Sequence, residues 1–143
     1  MKHSIILCVV FLTGYLRPHT ALGQTGSLEV TVSHIKSHKG KIQIGIFEEK
    51  DFLKTPVEGK IVKASKGTVT VVFENVKKGS YAISIIHDEN ENGILDANKL
   101  GIPKEGFAFS NNASGTLGPP SFEKARIEIG DEPIKQALVL KYM

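Results

Sequence analysis

Residues 88–96 read DENENGILD, and their oxygen-bearing side chains are spaced for cation chemistry. Asp88, Asn90 and Asn92 fall at alternate positions, Gly93 follows, and Asp96 adds a second carboxylate. Calcium takes about six to eight oxygens, and a chain coiling round the ion points alternate side chains inward. In that frame Asp88 holds the first position, Asn90 the third and Asn92 the fifth. Ile94 holds the seventh through its backbone carbonyl, and Asp96 the ninth. Gly93, between them, permits the sharp turn such a coil needs. The twelfth position, where a calcium loop places a bidentate glutamate, is Lys99. Asn98, Glu105 or water is left to complete the shell. No flanking helices are expected, so the loop is not an EF-hand. Two carboxylates and two amides point to weak extracellular calcium, with Kd on the order of 10⁻⁴ to 10⁻³ M. Such an ion would pin the loop and perform no chemistry.

The same residues also suit a plain turn. Asx side chains bond their own backbone, and Asn92-Gly93 alone signals a tight reversal. The two readings are compatible: an Asx-rich turn that a cation tightens.

Other groups around the loop are weighed in the same way. His87 shares strand parity with Tyr81, Ile83 and Ile85, so its ring points to the core. It reads as a buried histidine that orders the loop through its ring nitrogens, rather than as a base, because no partner nucleophile is evident. Glu105 is a candidate ligand, an acid, or an acceptor for loop amides. Paired with Asp88 or Asp96 it would offer the two carboxylates of a glycoside hydrolase, but sequence gives no separation between them. Asn111 and Asn112 lie in FSNNASG and read as loop-ordering polar residues. Asn112-Ala113-Ser114 also matches a glycosylation acceptor. Phe107 and Phe109 read as apolar plugs that bury the loop. His34 and His38, four apart, straddle a hairpin and are not set as a metal pair. There is no nucleophile elbow, zinc-protease helix, phosphate loop or paired-cysteine motif.

The elements that must position these groups are strands. Apolar residues alternate in LEVTV (28–32), KIQIGI (41–46), TVTVVF (68–73), SYAISII (80–86), EKARIEIG (123–130) and IKQALVLKY (134–142). EGKIVKASKG (58–67) reads as a weaker edge strand whose lysines discourage unwanted pairing. EEKDFLKTP holds a short helical turn that Pro56 ends. Glycine- and proline-bearing turns lie between the runs, and no segment keeps a helical period. These features predict an all-β fold, a single antiparallel β-sandwich of the immunoglobulin-like or transthyretin-like kind with about seven strands. Residues 87–122 break the rhythm. They hold five of the 14 glycines, yet carry Leu95, Leu100, Ile102, Phe107, Phe109 and Phe122. That content is too apolar for disorder, so the segment is expected to be a long ordered loop packed on the end of the sandwich.

The 143 residues suffice for one domain. Residues 1–23 read as a signal peptide: Lys2, an apolar run from Ile5 to Leu12, and Ala21 and Gly23 before a cleavage at Gln24. The run is too short for a permanent span. Without the leader, residues 24–143 carry 16 basic against 15 acidic side chains, a net charge of +1. With basic residues dispersed, this excludes an electrostatic footprint for nucleic acid. Cys8, the single cysteine, leaves with the leader, so the exported chain has no thiol chemistry.

GSYAISIIHDENENGILDANKLGIPKEGFAFSNNASGTLGPPSFEKA resembles the signature of the bacterial secreted family catalogued as domain of unknown function 2141. The matching positions run from Gly79, Tyr81 and Ala82 through His87, Asp88, Asn90, Asn92, Gly93 and Asp96. They continue through Gly101, Pro103, Glu105, Gly106, Phe109, Ser110, Asn111 and Asn112 to Gly118, Pro119, Pro120 and Phe122. Ala108 departs from a common glycine. The resemblance implies an exported β-sandwich over essentially the whole mature chain, and it implies no activity. The expectation is therefore an exported, periplasmic or surface-associated module that binds a protein or glycan ligand, with a calcium-stabilised loop. The alternative is a small carbohydrate-active or hydrolytic enzyme using the loop carboxylates.

Overall fold

The structure is a computed structural model that describes residues 23–143. The expected signal peptide, apart from Gly23, lies outside the described residues. Eight strands appear in chain order: β1 (Thr25–Ile35), β2 (Lys41–Phe47), β3 (Glu58–Lys63), β4 (Gly67–Lys77), β5 (Gly79–Asp88), β6 (Gly106–Phe109), β7 (Ile127–Ile129) and β8 (Ile134–Val139). They form a sandwich of two sheets. The first is ordered β4-β1-β8 and the second β3-β2-β5-β6, with β7 also paired to β5. β6 and β7 share one edge of β5 end to end, β7 at Gly79–Tyr81 and β6 at Ser84–His87.

Alternation explains the interior. Leu28, Val30 and Val32 of β1, with Phe73 of β4 and Leu138 of β8, meet Ile42, Ile44 and Ile46 of β2 and Ile83 and Ile85 of β5. Burying each such side chain contributes about 1.5–3 kcal/mol. β3 lies at a sheet edge, as its lysines suggest, and the turn Glu49–Asp51 is a single 3-10 turn ahead of Pro56.

Three features depart from expectation. β8 pairs with β1 in parallel, whereas every other pair is antiparallel. β8 arrives from the other sheet, so no hairpin dictates its direction. Residues 123–130 were expected as one strand, but Phe122–Ala125 is a short helix (α1) and only Ile127–Ile129 is strand. Phe122 and Ala125, three apart, both turn onto one apolar cluster, which a helical turn allows and a strand does not. Finally, the segment read as one long loop contains β6, and it lies across the outer face of the second sheet, not on the end of the sandwich. There Phe109, Phe122 and Ala125 pack on Ala82 of β5, with Phe52 and Phe107 against them. No helix among the described residues is long and apolar enough to cross a membrane.

Candidate functional site

Two layers make up the site: the fastened root of the loop, and a groove that the loop walls on the outer face of the second sheet.

The root begins at Asp88, the last residue of β5. Its carboxylate is 1% exposed and accepts from three donors: Gln43 Nε2 on β2 at 2.6 Å, the Gly93 amide at 2.8 Å and the Asn92 amide at 3.1 Å. A buried carboxylate is tolerated when its lone pairs are filled in this way. Glu105, also buried, does the matching task at the other end. One oxygen accepts from the Glu89 amide at 2.9 Å and the other from the Asp96 amide at 3.0 Å. The two carboxylates thus stand in for the strand partners that residues 89–96 lack. Gly93 has φ +86°, the left-handed turn that the Asp88 carboxylate closes over.

Outside the root the amides face each other. Asn90 Oδ1 accepts from the Asn92 amide at 3.1 Å, and Asn92 Oδ1 accepts from the Ile94 amide at 3.0 Å, both Asx turns. Their Nδ2 groups donate to Asp96, from Asn90 at 2.5 Å and from Asn92 at 3.1 Å to each oxygen. Asp88, Asn90, Asn92 and Asp96 are therefore gathered in one hydrogen-bonded cluster. Ile94 enters through its amide, and Glu105 stays beneath with both oxygens engaged. As arranged, the cluster satisfies itself. A cation would require Asn90 and Asn92 to turn their carbonyl oxygens inward. Asn98 serves elsewhere: its Oδ1 accepts from the Leu100 and Ile102 amides at 2.9 and 3.0 Å and builds the tip of the loop. Lys41 and Glu91 add an exposed ion pair at 2.8 Å that raises the Lys41 pKa, through the hydrogen bond first and the charge second.

His87 is wholly buried. Nε2 donates to the Lys39 carbonyl at 2.8 Å, so Nδ1 accepts from the Tyr142 hydroxyl at 2.7 Å. The ring ties the β1–β2 turn to the end of the chain. Gly106 of β6, paired with His87 of β5, leaves the space for this: a Cβ there would sit 2.5 Å from the Tyr142 ring. Burial raises the Tyr142 pKa above its ordinary value, while the Lys36 amide donating to it opposes the rise.

The distal arm is held differently. Buried Ser110 accepts from the Ile83 amide at 2.8 Å and donates to the Ala125 carbonyl. Asn111 and Asn112 have φ of 59° and 50°. Asn111 Nδ2 donates to the Arg126 carbonyl at 2.8 Å; Asn112 Nδ2 donates to the Ala137 carbonyl and its Oδ1 accepts from the Val139 amide, both at 2.9 Å.

Between the two arms runs a groove of about 1210 Å³. Gln43, Gly45, Ser84, Ile86 and Phe107 lie on the outer face of β2, β5 and β6 and form its floor. Residues 93–103 wall one side and residues 114–119 the other. Leu100 is 84% exposed and Leu117 fully so. Of the ten large apolar side chains exposed among the described residues, seven line this groove. Sequence reasoning missed it, together with Gln43, Ser110 and Tyr142. The signal for Gln43 was its place on the outer face of KIQIGI, next to Asp88.

One family model matches residues 30–137, the family described as "Uncharacterized protein conserved in bacteria (DUF2141)". The chain belongs to this family. The match takes in residues of both sheets, the loop root and both walls of the groove, and it stops short of Lys141 and Met143 on the groove and of Tyr142 beside His87. No curated protein and no solved structure matches the chain.

Proposed function

We propose that this protein is an exported, non-enzymatic binding module that takes an apolar ligand in the groove on the outer face of its second sheet. The observation that carries the reading is the gathering of seven of ten exposed large apolar side chains round one concavity. Single exposed apolar residues are ordinary, but a contiguous concave set marks a binding site. The leader-like residues 1–23 supply the argument for export. A glycan fits less well, since sugars need dense polar contacts and the rim is largely aliphatic. Against the hydrolytic alternative, Asp88 and Glu105 are buried with their oxygens engaged by N–H donors, and Asp96 accepts from the Asn90 and Asn92 side chains.

The test is titration with the neutral fluorophore N-phenyl-1-naphthylamine. Saturable, blue-shifted emission is expected, and Leu100→Asp with Leu117→Asp should abolish it, both side chains being exposed and outside the core. Emission that never saturates, or that survives the double substitution, sinks the reading.

A second reading concerns the root. The gathering of Asp88, Asn90, Asn92 and Asp96 in one hydrogen-bonded cluster supports weak calcium binding that steadies the groove wall. Melting with calcium and with chelator tests it.

A further inference from the structure

We propose that the ligand of the groove is a single-chain anionic amphiphile, such as a long-chain carboxylate. The proposal rests on the groove reading above and adds the chemical class of the occupant.

Charge is the first argument. Residues 24–143 are nearly balanced, with 16 basic and 15 acidic side chains. The groove is not balanced: its charged lining side chains are Lys54, Lys60 and Lys141, with no Asp or Glu among them. Lys60 donates to the Val72 carbonyl at 2.5 Å and is held near the Phe73 ring. Among the described residues, the Lys54 and Lys141 ammonium groups have no carboxylate partner. Two unpaired cations beside an apolar concavity complement an anionic head on an apolar tail.

The floor supplies the second argument. It is the face of a sheet, and β2 and β5 each spend their backbone groups on two neighbours. An extended peptide laid there would bury amides with few partners, which is costly. A methylene chain has no such groups. Gly45, paired with Ser84 across β2 and β5, lets the Phe47 ring and Pro56 lie over it, and Ile86 and Phe107 extend this apolar surface along the floor. The volume of about 1210 Å³ slightly exceeds the ~300–1,000 Å³ usual for small-molecule pockets, which suits an elongated chain.

The experiment is displacement of N-phenyl-1-naphthylamine from the purified protein by tetradecanoate, tetradecanol and tetradecyltrimethylammonium, each below its micelle concentration. Tetradecanoate is expected to bind about fivefold to tenfold tighter than the alcohol, in line with two weak surface ion pairs, and the cationic analogue weakest. Lys54→Glu with Lys141→Glu should erase the carboxylate's advantage and leave the alcohol unchanged. Shortening the tail should weaken binding by about fourfold per methylene. Equal binding of carboxylate and alcohol overturns the anionic assignment and leaves the groove reading intact. Reporter binding that no single-chain amphiphile displaces overturns the proposal in favour of a macromolecular occupant, such as an apolar helix. Absence of reporter binding overturns the groove itself.

Discussion

The two arms of the loop wall one groove, yet they are fastened by opposite chemistry. The proximal arm, residues 89–105, is held from below by two buried carboxylates that collect backbone amides. The distal arm, residues 110–125, is held by one hydroxyl, two neutral amides and an aromatic cluster. Each arm therefore fails for its own reason. A charge-directed change should loosen the first and spare the second, and a packing or amide change should do the reverse.

The largest separation is expected from Asp88→Ala. It strands the Asn92 and Gly93 amides and the Gln43 side chain, at a cost of about 3 kcal/mol. Urea denaturation measures the loss. Hydrogen exchange should place it at residues 89–96, with residues 110–125 still protected. Uniform deprotection of both arms would erase the distinction. Ser110→Ala comes next, at about 2 kcal/mol, because one hydroxyl serves both the Ile83 amide and the Ala125 carbonyl. Here the distal arm should exchange faster and the proximal arm should not.

Calcium sharpens the contrast from the other side, since the clustered Asp88, Asn90, Asn92 and Asp96 belong to the root of the proximal arm, and Glu123 on the distal arm sits beside Arg126. At about 5 mM, with Kd on the order of 0.5 mM, calcium should stabilise by about 1.4 kcal/mol. Asp96→Asn should remove the gain; a melting temperature indifferent to calcium and chelator discards the cation. The smallest effect belongs to Tyr142, which joins neither arm directly. Its pKa is raised above 10.0 by burial, so the folded state keeps a proton that the unfolded state releases. Its contribution is complete below that value and is lost as pH rises through the folded pKa. Stability measured against alkaline pH should fall less steeply in Tyr142→Phe than in the parent protein.

Legibility followed the same division. Alternation in residues 28–32, 41–46, 80–86 and 134–140 is enough to find the two sheets, because each strand buries one face. The parity that points His87 inward follows from the same rule. β6 has only four residues, too few for a period to show, and its two phenylalanines face outward onto the cluster. Residues 123–125 read as the start of a strand because Ala125 alternates with Ile127 and Ile129, and a single helical turn is too short to show a period of its own. The spacing of Asp88, Asn90, Asn92 and Asp96 brought these residues into view. That Glu105 lies under the loop and not in its cluster depends on β6 pairing with β5, which local sequence does not encode. The groove was least visible, since an exposed leucine and a buried one look alike until the sheet beneath is known.

Asn112 carries a consequence of its own. Its side chain meets the Ala137 carbonyl and the Val139 amide, the two groups that a further strand would seek on the outer side of β8. One amide thereby acts as a dummy strand at an otherwise open sheet edge. Open edges recruit other chains, so this residue blocks pairing at the β8 edge of the first sheet. Asn112→Ala should leave the monomer folded and make it prone to fibrous aggregation at high concentration, a change that light scattering and thioflavin fluorescence would register.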